Sequence, residues 1–347
     1  MKNKIIIHGS QYKDNFGDTL LVKVIQDSLI NKGTLYSSTA SEKVAKDLGI
    51  YKATKKEILF SEFFIYGGGG YFGEPNLNIR KWSIRFIVRH GLIGIVRRLL
   101  SKKYIFVGTG FGPLTNPFAS IIAKFILNGA DEINLRDKES IAFASKLAAR
   151  ANLNETADLV PSYISKNYTA NESGKIILHL HLPLGDNDKL SKILDGYIKF
   201  RNDVLPNHEI EIISDSECDE QQTWFFEKIS ESYPNLKLSP YSHFETTINT
   251  LSEASFVVTN KLHVAIVSAS MGIPVCSLYM HNKTKRFFEQ INRIHSALPL
   301  SDLSKHDDLS EFFKQSFDKK IDRESLEKLY YLSEKNIQNL KNWVSNE

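Results

Sequence analysis

The sequence predicts an α/β fold of two doubly wound, parallel-sheet domains that face each other across a cleft. Three observations carry this. In the first half, short apolar runs of strand type (KIIIHG, SEFFIYGGGG, KYIFVGTG, DEINLRD, ETADLV) alternate with helix-type segments such as DTLLVKVIQDSLI and KESIAFASKLAAR. That alternation is the signature of βαβ units around a parallel sheet. A polar stretch, SKNYTANESGK at 165–175, interrupts it and reads as a domain linker. The second half restarts the pattern with KIILHLHL, EIEIIS, LKLS, ASFVVT and PVCSLYM. The expected domains are 1–167 and 174–318, with a polar helical tail over 319–347.

The composition agrees. A chain of 347 residues with 42% hydrophobic content buries a sizeable core, and its length favours two domains over one. The first strand, with its three isoleucines, is too short for a signal-peptide core or a membrane span. Cys218 and Cys276 lie far apart, so neither a disulfide framework nor a cysteine-ligated metal is expected, and a reducing, cytoplasmic compartment fits. No internal repeat or low-complexity segment is seen.

Ligands of open parallel sheets bind beyond the carboxyl ends of the strands, so the residues there carry the functional reading. After the first strand comes DNFGDT, where Asn15 and Gly17 tolerate left-handed backbone and Asp18 is the expected cap of the next helix. After SEFFIY comes GGGG, including Gly68 and Gly69, which lets backbone N–H groups approach a ligand or lets the chain turn tightly. After KYIFV comes GTGFGP, with Gly110 and Gly112; Pro113 replaces the helix continuation that a dinucleotide fingerprint requires.

The next run ends in NLRD. Asp137 reads as the N-cap of the following helix, which leaves Arg136 to reach into the cleft. Asp158 in TADLV orders a local turn or orients a cation.

The basic stretch 80–103 interleaves Arg80, Lys81, Arg85, Arg89, Arg97, Arg98, Lys102 and Lys103 with apolar residues. No Asp or Glu occurs between Glu74 and Asp131, where nine Lys or Arg do. Two short helices broken at Gly91 and Gly94 are expected. Such a surface suits an anionic membrane or an acidic polymer, and equally a core-packing helix with a solvated cationic face. No recognition module accompanies the charge, so nucleic acid is not expected as a partner.

In the second half, His179 and His181 share one face of LHLHL; without a third partner they read as packing or cleft-lining residues rather than metal ligands. ASFVVT reads as a buried strand, Thr259 or Asn260 as a cap, and KLHVAIVSASM as a helix whose first turn carries Lys261 and His263. A helix N-terminus attracts anions, a lysine there strengthens the attraction, and a histidine binds the anion or moves a proton. His281, Lys283, Lys285 and Arg286 follow the next strand. Arg136, Lys261 and Lys283 are expected to converge on one small dianion.

The ordered series N-F-G-D (15–18), G-G-G-G (67–70), G-T-G-F-G-P (108–113), R-D-K-E-S (136–140), T-A-D (156–158) and K-L-H followed by G-I-P resembles the polysaccharide pyruvyl transferase family over roughly residues 5–290. The resemblance implies two Rossmann-like domains similar to GT-B glycosyltransferases. It also implies transfer of a pyruvyl group from phosphoenolpyruvate to a saccharide as a ketal, in cell-surface polysaccharide biosynthesis, with no metal or nicotinamide cofactor. By position it gives His263 acid or base duty and assigns Arg136, Lys261 and Lys283 to the donor. Lys261 stands where the family commonly has arginine, keeping the charge but losing the bidentate fork.

Around the site the expected set is Asn15, Gly17, Asp18, Gly68, Gly69, Gly110, Gly112, Asp158 and His181. The acceptor, in lipid-linked or polymeric form, would be held near the inner face of a membrane by the 80–103 surface. Two other readings remain open: a GT-B glycosyltransferase using a nucleotide sugar, and a non-catalytic saccharide-binding or assembly protein.

Overall fold

β-branched and aromatic runs bounded by glycine, proline or polar residues set the strands, and the longer amphipathic stretches between them set the helices. The structure, a computed structural model, describes residues 3–75, 77–217 and 220–345. Its contacts divide the chain into two units: Met1–Asp14, Asp18–Val160 and Tyr330–Glu347 form the first, Asn15–Gly17 and Pro161–Leu329 the second.

The first unit begins with β1 (Lys4–His8), α1 (Phe16–Ser28), β2 (Thr34–Ser37), α2 (Glu42–Asp47), β3 (Tyr51–Lys52), α3 (Lys55–Phe60), β4 (Phe63–Tyr66) and β5 (Gly69–Phe72). It continues through α4 (Ile79–Phe86), a π-helical turn at Ile87–Gly91, α5 (Leu92–Leu99), β6 (Ile105–Phe111), α6 (Pro117–Leu127), β7 (Glu132–Leu135), α7 (Lys138–Leu147) and β8 (Leu153–Glu155). The strands pair in parallel in the order β3-β2-β1-β4-β6-β7-β8, with β5 also on β6.

Central strands covered on both faces read as continuous apolar runs, and Ile5–Ile7, Phe63–Tyr66 and Ile105–Val107 are all buried. Tyr66 stacks on Phe106 with ring centroids 4.5 Å apart, and full burial of such a ring contributes roughly 1.5–3 kcal/mol.

The second unit runs α8 (Val160–Asn167), β9 (Lys175–His179), α9 (Asn187–Val204), β10 (Glu209–Ile213), α10 (Glu220–Ser232), β11 (Lys237–Ser239), α11 (Phe244–Ser252) and β12 (Ala254–Thr259). Then follow α12 (Leu262–Ser270), β13 (Val275–Tyr279), α13 (Asn282–Gln290), β14 (Ala297–Pro299), α14 (Leu309–Asp318) and α15 (Arg323–Ser345). Its parallel sheet has the order β11-β10-β9-β12-β13-β14. The core packs Tyr197, Phe200, Phe256 and Phe313 together with Ile176 and Leu178.

Several elements differ from the sequence reading. GTGFGP does not follow its strand: Gly108–Phe111 lie inside β6, because Thr109 and Phe111 pair with β5 and Thr109 also pairs with β7. In ETADLV only Glu155 is strand, and Asp158 Oδ1 accepts from Val160 N at 3.2 Å to open α8. The units meet at Val160–Pro161 rather than at a linker over 165–175. That polar stretch is tied to the second unit by Asn171 N→Ser252 O (2.7 Å) and Ser173 N→Glu253 O (3.0 Å).

Nor is 319–347 a separate tail. Buried Ile337, Leu340 and Val344 line one face of α15, where Ser333 donates to Leu159 O and Asn336 to Ala157 O, making the end of the helix part of the first unit. Gly91 and Gly94 do not break the basic segment. Both are buried, and the space a Cβ would fill is taken by Ile122 and Ile126 of α6. Cys276 is a buried free thiol; Cys218 lies outside the described residues.

Candidate functional site

In the second sheet the chain steps outward from β9 through β10 and β11 on one side, and from β12 through β13 and β14 on the other. Loops leaving the carboxyl ends of β9 and β12 therefore diverge, and such switch points are where open α/β sheets hold ligands. The polar side chains there tie the two strand ends together. His179 Nδ1 lies 2.9 Å from Thr259 Oγ1, His181 N donates to Asn260 Oδ1 at 3.0 Å, and Asn260 Nδ2 donates back to His181 O at 2.9 Å.

With Asn260 engaged in that bridge and Thr259 Oγ1 accepting from Lys261 N at 3.0 Å, the cap of α12 falls to Lys261, not to either residue expected. Lysine is an unusual cap because it has no acceptor to offer the first-turn N–H groups. It also adds positive charge at the positive end of the helix dipole, which disfavours the helix and favours an anion. His263, half-buried, sits in that same first turn.

Two further groups complete the second-unit cluster. The 15–17 segment belongs to this unit: Phe16 N donates to Asp215 O at 2.7 Å, and Asn15 Nδ2 lies 3.2 Å from both Asp215 O and Asp215 Oδ2. A Cβ on Gly17 would overlap the His263 imidazole at Nδ1, so only glycine lets this backbone pass so close.

Asp215 Oδ1 lies 3.5 Å from His179 Nε2. Burial alone would raise the Asp215 pKa, but the field of Lys261 and the contacts with His179 and Asn15 outweigh it and hold the carboxyl well below its usual range. On the other side His281 caps α13, and its pKa is lowered by burial and then by Lys283 and Lys261. Lys283 lies in the first turn of α13, beside its cap His281, as Lys261 caps α12.

Arg136 belongs to the first unit, and it is not free. It is buried, with Nε 3.6 Å from Asp137 Oδ2 and Nη1 3.7 Å from Asp158 Oδ2, and its guanidinium fills the space a Cβ on Gly110 would take. Asp137 caps α7 as expected, accepting from Ser140 N at 2.7 Å. Asp158 both opens α8 and faces Arg136. Asp18 lies in the first turn of α1 rather than at its cap; Asn15 Oδ1 accepts from Gly17 N at 3.1 Å. Gly68 packs on Leu21, Gly69 opens β5, and Gly112 abuts Phe143.

A buried histidine pair went unremarked in the sequence. At the switch point between β1 and β4, His8 Nε2 lies 2.8 Å from His90 Nδ1, and His8 Nδ1 lies 2.7 Å from Ser38 Oγ. Tyr71 stacks on His90 at 4.6 Å, and Tyr66 Oη donates to His90 O. Burial pushes the His90 pKa down to about 3, with Arg89 adding to the effect, and burial with repulsion from His90 pushes His8 well below its ordinary value. Both rings are therefore neutral, one donating and the other accepting. Asp215 was also missed, although an acidic residue just beyond EIEIIS was a readable signal under the strand-end rule.

Comparison with known proteins decides the family. The family model described as polysaccharide pyruvyl transferase matches residues 11–282, well over half of the chain, including Arg136, Asp215, Lys261 and His263. The chain belongs to the polysaccharide pyruvyl transferase family. This pyruvyl transferase relative is thus a transferase, and a saccharide acceptor is consistent with the family.

No curated protein sequence matches it significantly. Among solved structures it is similar to a putative UDP-N-acetylglucosamine 2-epimerase from Listeria monocytogenes (TM-score 0.64, 10% identity, covering 100% of this chain and 98% of that one). It is also similar to MnaA of S. aureus in a UDP co-structure (TM-score 0.62, 12% identity, 99% and 97% covered). A third likeness is to sucrose-phosphate synthase from Thermosynechococcus elongatus (TM-score 0.50, 12% identity, 99% and 96% covered). At these identities the likeness is one of fold, and the fold is GT-B-like, with two Rossmann-like units. Among the described residues, no helix is long and apolar enough to cross a membrane.

Proposed function

We propose that this pyruvyl transferase family member moves the pyruvyl group of phosphoenolpyruvate onto two hydroxyls of a saccharide as a ketal, releasing phosphate, in cell-surface polysaccharide biosynthesis. The observation that carries the reading is a cationic side chain without acceptor atoms at the cap of α12, two residues before the first-turn His263. An anion bound there would be met by the helix dipole and Lys261, with Lys283 on the neighbouring helix.

In this reading His263, as imidazolium, protonates the methylene carbon of the donor, and the enol carbon becomes an oxocarbenium-like centre. One sugar hydroxyl adds to that carbon and phosphate departs. A second hydroxyl closes the ketal, and the hydroxyl protons restore the imidazolium and protonate the phosphate. Lys261 and Lys283 offset the carboxylate and phosphate charge. Within the first unit, Asp137 and Asp158 hold Arg136 in orientation. Neither metal nor nicotinamide has a part in it, and the protein acts in the cytoplasm at the inner face of the membrane.

The test is incubation with phosphoenolpyruvate and a panel of saccharides, reading phosphate release and ketal methyl resonances by NMR, beside a parallel arm with UDP-sugars. Phosphate release that His263→Gln abolishes and Lys261→Met slows through a raised KM supports the reading. Turnover of a UDP-sugar alone moves the protein to glycosyl transfer, and turnover of neither donor moves it to saccharide binding or assembly.

A further inference from the structure

The basic segment of the first unit is one continuous helical rod, from α4 through the π turn to α5, and its outward side is divided into rows. Positions four apart share a helix face. Along one row stand Ile84, Val88 and Leu92; along the adjacent row stand Lys81, Arg85 and Arg89, with Arg80 at the head. α6 packs beside the π turn through Ile122 and presents Phe118 and Ile121 outward. These five apolar side chains are 49–71% exposed.

Arg97, by contrast, contributes nothing to this surface. It is fully buried, donating to Ile58 O, Ser61 O and Lys103 O. The expected basic amphipathic 80–103 surface thus loses Arg97, and over 80–92 it is an aliphatic ridge beside a cationic ridge.

We propose that this face docks on the surface of an anionic lipid bilayer, the aliphatic row entering the acyl boundary and the cationic row meeting the headgroups. Apolar and cationic rows side by side on one helix are what an interfacial helix needs. Charge decides among the possible occupants. The stretch from Pro75 to Ala130 contains nine Lys or Arg and no Asp or Glu, so a second copy seated on the same face would oppose like charges with no acid in the segment to pair them. An acidic polymer would satisfy the cations but leave the aliphatic row in water. The inference deepens the proposed function, which sets the protein at the inner face of the membrane, by naming the surface that meets the lipid.

The test is co-sedimentation of the full chain with vesicles of phosphatidylcholine containing phosphatidylglycerol, and with vesicles of phosphatidylcholine alone. Binding is expected only to the anionic vesicles and should fall with salt. It should drop at least about tenfold in Val88→Glu/Leu92→Glu and again in Arg80→Glu/Lys81→Glu/Arg85→Glu, since each surface cation contributes on the order of a fivefold factor. All these side chains are exposed, and an unchanged circular dichroism spectrum and melting temperature would show that the variants fold. Equal binding to neutral vesicles, no binding to anionic ones, or binding indifferent to both variants overturns the proposal. So does a dimer in sedimentation velocity that Val88→Glu/Leu92→Glu dissolves while lipid binding is absent. Turnover of a soluble acceptor, measured on the same variants, is expected to be unchanged, so failure of the surface and failure of the proposed reaction give different results.

Discussion

Acidification should destabilise the first unit through His90, and the size of the effect follows from its burial. His90 is 6% exposed, bonded to His8 and stacked on Tyr71, and its pKa in the folded protein is about 3 against an ordinary 6.5. A base whose folded pKa is depressed binds fewer protons in the native state than in the unfolded chain. Stability is therefore lost as pH falls below 6.5 and keeps falling until pH approaches 3. Between pH 7 and pH 5 the unfolded chain goes from about a quarter protonated to almost fully protonated at this site while the native state stays nearly unprotonated, which costs about 2 kcal/mol.

Other shifted groups of the first unit are common to parent and variant and cancel in the comparison: Glu132, raised by burial, works against the loss, and His8, lowered by burial, adds to it. Glu57, held down to about 2 by Lys4, loses its contribution only below its ordinary value of 4.5. His281 and His295 shift in the same direction as His90 but belong to the second unit. The assay is urea unfolding at both pH values in a Trp224→Phe background, where Trp82 and Trp343 report the first unit. His90→Gln starts from a lower stability but should lose about 2 kcal/mol less than its parent between pH 7 and pH 5. Parallel losses in the two proteins would refute the account of a neutral, desolvated imidazole.

Three other outcomes are expected. Gly17→Ala should lower kcat by at least about tenfold with the melting temperature shifted by only a few degrees, because the new methyl displaces the His263 ring, and a small misplacement of a reacting group costs rate more than stability; steady-state kinetics beside calorimetry measure it. Asp215→Asn removes the carboxylate that faces Lys261 and His179 and should raise the KM for an anionic donor severalfold, while Asp215→Glu recovers part of the loss. Arg97→Met should cost roughly 3–5 kcal/mol in urea unfolding, since the carbonyls of Ile58, Ser61 and Lys103 lose their common donor; a cost under about 1 kcal/mol would show that water replaces the guanidinium there.

Part of the candidate site was legible because it is written in local pattern. A histidine and a lysine beginning an otherwise apolar helix are anomalous in the sequence itself, and the structure places Lys261 at the cap of α12 and His263 in its first turn. His8 and His90 were not. They are 82 residues apart, each alone in an apolar or basic run, and nothing local pairs them. Arg97 was misassigned to the surface by the same limit. It lies in a segment rich in cations, but its partners lie on the chain around residues 58–61 and at Lys103.

The sequence by itself determined the alternation of strands and helices, the two Rossmann-like units, the acid-free basic segment and the family, because periodicity and the order of short motifs are properties of the chain read in one dimension. The tertiary structure alone decided which polar groups are desolvated and which are met by a partner. It made Asp215 the anchor of the 15–17 segment, gave the cap of α12 to Lys261, set Arg136 between two carboxylates and sank Arg97 beneath the ridge it was expected to charge. Desolvation and pairing depend on distances between residues far apart along the chain, and those distances exist only once it has folded.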